Sequence, residues 1–307
     1  MRCVVFAYHE IGYVCLEELL RLGAEIPLVI THTDDPQEQI WFRSVYELAA
    51  QRGIEVHAPL EVNTEEWVRR VRAAEPDFLF SFYYRKLLRK PLLEIPARGA
   101  LNLHGSLLPR YRGRCPVNWV LIHDEKQTGV TLHYMTEKAD AGDIVAQRVV
   151  AIDDTDTALT LYRKLIAAAP ELLRETYPLL CAGTAPRIPQ DPTQASYFGG
   201  RRPEDGRIEW QVSARQVFNL VRAVTHPYPG AFAFWRGRVL QVWKARVWEG
   251  GDCKGSPGTV VQTAPELVVC CGTGGVVLER VQEEGASEQD GALWAQHRNV
   301  REGERLQ

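Results

Sequence analysis

Three polar residue types are placed in the sequence where they can support acyl transfer to an amine. Asn102 and His104 lie two residues apart, and Asp140 follows inside a short Ala-Asp-Ala-Gly-Asp segment. On an extended strand, residues two positions apart project from the same face, so the amide and the imidazole would enter one cleft. The amide can donate to a developing oxyanion, the imidazole can carry a proton, and the carboxylate can orient the imidazole. This set predicts attack of an amine on a carbonyl carbon.

Each of the three residues also has an ordinary structural interpretation. A lone histidine more often packs in the protein than reacts, Asp before Ala-Gly is typical of a turn, and asparagine commonly ends a strand. The Gly105–Pro109 segment after His104 favours the functional interpretation, because glycine, serine and proline close together fix a tight and rigid exit from the strand. The hypothesis requires Asp140 and His104 to meet in space, which spacing alone does not establish.

The first half of the chain alternates apolar strand-like runs with segments of helical period, which predicts a mostly parallel sheet of the open, Rossmann-like type. In such sheets ligands bind beyond the carboxyl ends of the strands, and His104 falls at such an end. The pair Asn63 and Glu66 predicts a capping box at the start of one helix. The predicted strands are 3–8, 25–32, 54–58, 77–84, 100–104, 129–135 and 144–152, and the predicted helices are 12–22, 37–51, 65–74, 86–93, 116–124 and 158–180.

The second half of the chain changes character after a connector. Residues 184–206 collect Gly, Pro, Thr and Arg without periodicity, so we predict that they link two domains, 1–183 and 207–307. One more helix is predicted over 214–224. Short, turn-separated strands then predict a small β-barrel, and they cover 231–235, 239–247, 258–263, 267–271 and 275–280.

Composition excludes several classes of protein. The chain has 36 Lys and Arg against 39 Asp and Glu, a net charge of -3, so its overall charge does not attract it to nucleic acid or anionic lipid. It has no apolar run of membrane-spanning length, and its opening apolar run is too short for a signal peptide. Seven cysteines without a CxxC pair predict a reduced, cytoplasmic protein with neither disulfide nor metal cluster. The chain has neither GxGxxG nor GxxxxGKS, which argues against a dehydrogenase.

Arginines form a second set of candidate site residues. Arg110, Arg112 and Arg114 are each two positions apart, and they either lie in a solvated basic loop or clamp a diphosphate through their guanidinium groups. The same two interpretations apply to Arg201 and Arg202.

The segment from Asn102 to Gly113 resembles the active-site signature of the formyltransferases that use 10-formyltetrahydrofolate, and Asp140–Asp143 is similar to their second catalytic loop. The likeness covers essentially the whole chain and implies a Rossmann-like domain followed by an OB-like β-barrel. It also implies that Asn102 stabilises the transition state, that His104 transfers the proton and that Asp140 tunes His104. The implied site for the formyl-folate, with no metal, is lined by Lys86, Leu87, Leu88, Arg114, Thr136, Glu137, Lys138, Ala139 and Asp140.

Several other segments look like the formyltransferase domain of bifunctional enzymes that act on UDP-4-amino-4-deoxy-L-arabinose in lipid A modification and polymyxin resistance; they are 4–9, 31–34, 80–85, 116–121 and 198–202. This likeness implies N-formylation of a nucleotide-linked amino sugar, with the identity of the sugar and its nucleotide left open. The expected substrate contacts are Tyr84, Arg110, Arg112, Arg201 and Arg202.

Two departures from that subgroup are visible. The bifunctional relatives carry an NAD-dependent decarboxylating domain that these 307 residues do not include, so we expect either a separate dehydrogenase or decarboxylase protein or a different sugar. Cys115 stands where a small residue such as alanine is expected, and whether its thiol is reactive is left open. Whether the chain forms a homo-oligomer is also left open.

Three other functions compete with sugar formylation. Methionyl-tRNA formylation needs several phosphate contacts from Lys and Arg, but 31–40 contains neither and has two adjacent aspartates. Residues 206–307 carry twelve Lys and Arg against eleven Asp and Glu, so no nucleic-acid partner is expected. The second alternative is a formyl-folate hydrolase or dehydrogenase module, in which water replaces the amine. The third is a sugar-nucleotide binding module without catalysis, which the intact catalytic set argues against.

Overall fold

A computed structural model describes residues 1–36 and 40–307 of the chain. These residues form two compact units. The amino-terminal unit contains Met1–Pro116, Gln127–Ala151 and Tyr162–Gly199, and the carboxyl-terminal unit contains Val117–Lys126, Ile152–Leu161 and Gly200–Gln307. The division differs from the predicted single boundary, because two short segments from the first half of the chain belong to the carboxyl-terminal unit.

The amino-terminal unit is built on a seven-stranded, mostly parallel sheet. Its strands, with a two-stranded ribbon, are β1 (Arg2–Ala7), β2 (Glu25–Ile30), β3 (Glu55–His57), β4 (Phe78–Phe82), β5 (Gly99–His104), β6 (Arg112–Gly113), β7 (Gln127–Tyr134), β8 (Ile144–Ala151) and β9 (Tyr197–Phe198). The sheet order is β3-β2-β1-β4-β5-β7-β8, and β6 pairs with β9. The strands from β3 to β5 are parallel, whereas β7 and β8 run antiparallel to their neighbours. This confirms the predicted fold class.

Burial explains why these strands read as continuous apolar runs. All five residues of β4 are buried, and β1 is buried from Cys3 to Ala7. Parallel strands covered on both faces have this pattern. The order of the sheet reverses between β1 and β4, and the carboxyl ends at such a reversal open the crevice where ligands bind.

The helices agree with the sequence in number and order over most of the chain. They are α1 (His9–Arg21), α2 (Val45–Gln51), α3 (Glu65–Ala73), α4 (Lys90–Leu93), α5 (Pro116–Ile122), α6 (Ala158–Ala182), α7 (Ala214–Val224) and α8 (Gly291–His297). The helix predicted over 37–51 begins only at Val45, after Ser44 caps it by accepting from the Glu47 N–H. Residues 37–39 of that prediction lie outside the described residues. The sequence pattern missed α8, β6 and β9, and also the two-residue strand Gln289–Asp290.

The capping box predicted before α3 is wrong. Thr64 is the N-cap of this helix and its side chain makes no capping hydrogen bond. Asn63 turns away instead, because its amide oxygen accepts from the Arg89 N–H at 2.8 Å and its amide nitrogen donates to the Leu87 carbonyl at 3.0 Å. A contact with a distant loop therefore replaces the local cap that the pattern indicated.

The carboxyl-terminal unit is an antiparallel β structure, as predicted. Its strands are β10 (Ala231–Trp235), β11 (Arg238–Val247), β12 (Val260–Gln262), β13 (Val268–Cys270), β14 (Gly275–Glu283) and β15 (Gln289–Asp290). They pair along the path β10-β11-β14-β13-β12, with β15 beside β14. The fully buried Trp294 lies on α8 and packs edge-on against Trp235 at 5.1 Å between ring centroids. Within the described residues, no helix combines the length and the apolar character needed to cross a bilayer.

The expectation that every cysteine is reduced is wrong for one pair. Cys253 and Cys270 form a disulfide, with their Cα atoms 5.5 Å apart. The segment after β11 returns to β13 and brings the two residues together, a contact that their separation of 17 residues does not signal. Cys3, Cys15, Cys115, Cys181 and Cys271 are free.

Candidate active site

Strand β5 carries both Asn102 and His104, two positions apart as the sequence predicts. Its neighbour β7 is antiparallel and places His133 directly opposite Asn102 and Thr131 opposite His104. Residues opposite each other in an antiparallel pair share one face of the sheet. The sheet register therefore brings a second histidine beside the predicted amide.

The hydrogen bonds of His104 fix which ring nitrogen carries the proton. Nε2 lies 2.7 Å from the carbonyl oxygen of Tyr111, and because a carbonyl only accepts, Nε2 must donate. In the neutral ring Nδ1 then has the free lone pair, and it lies 3.6 Å from Oδ1 of Asp140. The hydrogen on Nε2 is thus held by the Tyr111 carbonyl, and the orienting role expected for Asp140 stays a prediction. Asp140 faces Nδ1, where a carboxylate can stabilise the charged ring once this nitrogen takes a proton.

Asp140 is a largely buried carboxylate with several favourable partners. Its Oδ2 accepts from the Gly113 N–H at 2.9 Å, and its Oδ1 lies 3.6 Å from Nε2 of His133 as well as facing His104. Burial by itself raises the pKa of Asp140, but the attraction of the two nearby histidines when either ring is charged, together with the Gly113 N–H, holds the pKa well below its usual range. The carboxylate is consequently charged at neutral pH.

A chain of side chains holds the loop that carries Asp140. Gln190 donates through Nε2 to the carbonyls of Asp140 at 2.9 Å and Gly142 at 2.7 Å. Its Oε1 accepts from the Arg112 guanidinium at 2.6 and 3.1 Å. Gly142 itself must lack a side chain, because a Cβ there would lie 2.0 Å from the Tyr134 carbonyl oxygen. The Asp140 loop is thus fixed from both sides.

Arg112 is 3% exposed, and its third hydrogen bond goes to the Tyr197 hydroxyl at 3.0 Å. This burial favours a role in positioning the Asp140 loop over the predicted phosphate contact. Gln190 lies in the segment that we predicted to be a linker, and no periodicity or motif marked it. Its role emerges only because Arg112–Gly113 pairs with Tyr197–Phe198.

The residues expected to line the formyl-folate site belong to the loops after β4 and β7, except Arg114, which follows β6. Lys86 donates to the carbonyl of Leu60, and Leu87 is exposed while Leu88 is buried. The Thr136 hydroxyl donates to the Lys138 carbonyl at 2.9 Å, and the Arg114 backbone N–H donates to the Phe198 carbonyl at 2.9 Å. These contacts shape the loops, and the folate contacts stay a prediction for all the expected residues, including Glu137 and Ala139. Cys115, beside Arg114, is free and partly exposed.

The expected substrate residues are distributed over both units. In the amino-terminal unit, the ring of Tyr84 is buried and stacks on His32 at 4.1 Å, and Arg110 is exposed. In the carboxyl-terminal unit, Arg201 donates to the Asp205 carbonyl at 2.6 Å, and Arg202 is exposed. Their contacts with substrate stay predictions. Among the described residues no group of three or more His, Cys, Asp or Glu is arranged to hold a metal ion.

The geometry defines a class of protein before any comparison is made. A Rossmann-like sheet presents an amide, an imidazole with an open Nδ1 and a charged carboxylate at one strand end. Such a set of groups can support acyl transfer with general-base assistance. The family model for formyl transferase matches residues 12–177, and the model for the formyl transferase carboxyl-terminal domain matches residues 201–299. The chain belongs to the formyl transferase family.

Solved structures with the same fold include two sugar N-formyltransferases and a longer protein. One is the N-formyltransferase from Helicobacter canadensis in complex with folinic acid and dTDP-3-aminofucose, with a TM-score of 0.70, 19% identity, and 92% of this chain and 99% of that chain covered. Another is WlaRD, a sugar 3N-formyl transferase in the presence of dTDP and 5-N-formyl-THF, with a TM-score of 0.71, 16% identity, and 94% and 99% covered. A third is HypX from Aquifex aeolicus with tetrahydrofolic acid, with a TM-score of 0.63, 18% identity, and 96% and 47% covered.

Proposed function

We propose that this protein transfers a formyl group from 10-formyltetrahydrofolate to the amine of a nucleotide-linked amino sugar, with UDP-4-amino-4-deoxy-L-arabinose as the first candidate. The observation that carries the proposal is the convergence of Asn102, His104 and Asp140 at the end of β5. Membership of the formyl transferase family supports the reaction. The sugar as acceptor is supported by the fold shared with two enzymes whose structures were solved with a sugar-nucleotide or nucleotide ligand and a formyl-folate.

The residues divide the chemistry between them. The amine attacks as the free base and must lose a proton as the new bond to the formyl carbon forms. Nδ1 of His104 takes that proton, because Nε2 is already committed to the Tyr111 carbonyl. Asp140 then stabilises the positive ring. The Asn102 amide donates to the negative charge on the formyl oxygen, a contact typically worth about 3–4 kcal/mol.

The protonated His104 also completes the reaction. The formyl donor supplies the carbon that is transferred, and its departing nitrogen needs a proton. Nδ1–H of His104 can return the proton that it took from the amine, so the ring ends in its starting state. This use of a single ring as base and then acid requires Asp140 to remain charged throughout, which its lowered pKa ensures.

The test is to incubate the protein with 10-formyltetrahydrofolate and a panel of UDP- and TDP-linked amino sugars and to identify products by mass. We expect one formylated sugar nucleotide to accumulate together with stoichiometric tetrahydrofolate. His104→Gln is the matched control, because its amide can still donate to the Tyr111 carbonyl but has no base at the Nδ1 position. Tetrahydrofolate release without an acceptor would identify a hydrolase, and formylation of methionyl-tRNA alone would replace the sugar as acceptor.

A further inference from the structure

The amide of Asn102 has a buried partner that the catalytic set does not include. Nδ2 of Asn102 lies 3.1 Å from Nε2 of His133, across the β5–β7 pair. His133 is 1% exposed, and its Nδ1 lies 2.8 Å from the carbonyl oxygen of Tyr134. Because that carbonyl can only accept, Nδ1 carries the hydrogen, and in the neutral ring Nε2 offers a lone pair. Nε2 of His133 is therefore an acceptor aimed at the Asn102 N–H.

This acceptor matters because the two ends of an asparagine amide have nearly the same shape and opposite hydrogen-bonding character. Only the NH₂ end can stabilise negative charge on a formyl oxygen. If the amide turned over, its oxygen would face the lone pair of His133 and also the carboxylate of Asp140. Both neighbours repel an oxygen, so both favour the orientation that keeps the NH₂ end toward them.

The two N–H groups of that amide are held unequally. The contact with His133 is 3.1 Å, whereas Oδ1 of Asp140 is 3.5 Å from the same nitrogen. That Oδ1 is also 3.6 Å from Nδ1 of His104. When His104 takes the proton from the amine, its new Nδ1–H becomes the strongest donor to Oδ1, because both groups are charged. Oδ1 of Asp140 then engages the second N–H of Asn102 less strongly, so that this N–H can donate to a new acceptor.

We propose that His133 is a positioning residue that fixes the orientation of the Asn102 amide through one N–H and leaves the other for the formyl oxygen. The inference rests on the proposed function for the identity of that oxygen. It links the two halves of the chemistry, because proton transfer to His104 draws Asp140 away from Asn102 at the moment when negative charge develops.

Two amide variants at position 133 separate the two hydrogen bonds of this ring. In His133→Gln the side-chain oxygen reaches about as far as Nε2 and can still accept from Asn102. In His133→Asn the shorter amide reaches only the position of Nδ1 and can still donate to the Tyr134 carbonyl. We expect His133→Gln to keep kcat within about fivefold of the wild type and His133→Asn to lose about 10²–10³-fold, as on losing an oxyanion donor, with KM nearly unchanged.

A double variant distinguishes positioning from a structural role. Once Asn102→Ala has removed the amide, adding His133→Asn should lower kcat no further, because both changes remove the same interaction. Losses that multiply, or equal losses in His133→Gln and His133→Asn, would overturn the proposal. So would wild-type kcat in His133→Asn.

A spectroscopic measurement tests the geometry whether or not sugars are the acceptor. In ¹⁵N-histidine-labelled protein, we expect His133 to be the neutral tautomer with hydrogen on Nδ1. Its Nε2 signal should shift in Asn102→Ala, which removes the donor. A hydrogen on Nε2, or no response to Asn102→Ala, would refute the positioning role. Failure of every sugar in the acceptor panel would instead reject the proposed function and leave this readout intact.

Discussion

At Asp140, substitutions can distinguish the effect of the carboxylate charge from the effect of the backbone conformation, so this position gives the most informative variants. Its φ of 53° lies in the left-handed region, where asparagine is tolerated far better than most residues. Asp140→Asn keeps an oxygen for the Gly113 N–H but removes the charge that faces His104. We expect kcat to fall about 10²-fold or more, in the range of general acid–base contributions. Steady-state rates with both substrates varied will measure it.

The control for that change is Asp140→Ala, which also removes the Gly113 contact and has a side chain poorly suited to positive φ. We expect this variant to lower the thermal midpoint as well as kcat, whereas Asp140→Asn should leave the midpoint close to that of the wild type. An Asp140→Asn enzyme with wild-type kcat would show that the carboxylate charge has no part in proton transfer.

The same residues show how far sequence reaches into a site. Asn102, His104 and Asp140 were predictable, because the first two lie on one strand face and the third lies in a recognisable turn. His133 was not, because its position opposite Asn102 depends on the register of β7 against β5. The contact with the Tyr111 carbonyl was equally unpredictable, because every residue has a backbone carbonyl and the residue type does not show which one is used. This carbonyl is the contact that leaves Nδ1 as the base in the proposed mechanism.

At the scale of elements, the ribbon of β6 and β9 acts through Gln190 on the Asp140 loop. Gln190→Ala removes the donor to the Asp140 and Gly142 carbonyls and the acceptor of the buried Arg112 guanidinium. Leaving buried polar groups unsatisfied typically costs about 1–3 kcal/mol each, so we expect a lower thermal midpoint of unfolding. We also expect a lower kcat, because the Asp140 loop is no longer fixed.

A nearby glutamine provides the matched control for Gln190→Ala. Gln194 is exposed, and its side chain donates to the Asp191 carboxylate within its own turn. Gln194→Ala should leave both the thermal midpoint and kcat close to the wild type. Equal effects of the two substitutions would show that the segment, rather than the Gln190 contacts, is responsible.

The turn between β1 and α1 predicts a dependence of stability on pH. Burial, with a smaller effect of Arg85, lowers the pKa of His9 to about 3. The unfolded chain titrates this group near 6.5, so between those values the unfolded state binds a proton that the folded state does not. Stability is therefore lost as the pH falls, by about 1.4 kcal/mol per pH unit for this group.

The test is to compare the slope of stability against pH in His9→Asn and the wild type. Asparagine tolerates the φ of 64° at this position and does not titrate. Urea unfolding followed between about pH 6 and pH 4.5 should give a shallower slope in the variant. A residual slope is expected from His32, whose pKa burial lowers to about 4. Identical slopes in the two proteins would contradict a neutral His9 with a lowered pKa.

Elements were predicted best where a long periodic pattern determined them. The bounds of α7 and β10 agree with the sequence at both ends, because α7 has a clear amphipathic period and β10 is a short apolar run between two turns. The ribbon of β6 and β9 was missed because two-residue strands have no period. The capping box failed because Asn63 contacts the distant Leu87–Arg89 loop, and a local pattern carries no information on such a contact.

At the scale of the whole molecule, the two family models cover both units, so the resemblance seen in one loop extends through the chain. The match to the two family models identifies formyl transfer as the reaction class but does not identify the acceptor. The fold is shared with sugar N-formyltransferases and also with HypX, of whose chain the match covers only 47%. The fold therefore does not distinguish the acceptors, and the charge of the protein has to be considered. The net charge is -3.

The dependence of kcat/KM on ionic strength distinguishes a sugar nucleotide from a nucleic acid as the acceptor. A protein that neutralises six to ten phosphates of a nucleic acid loses roughly 10³–10⁵ in affinity between about 50 and 200 mM salt. A sugar nucleotide presents only a diphosphate, so we expect kcat/KM for it to fall less than about tenfold over the same range. The control is initiator methionyl-tRNA in the same buffers, which we expect not to bind at any of these concentrations. A steep salt dependence together with tRNA binding would place the acceptor among nucleic acids, because only a row of phosphate contacts produces such a slope.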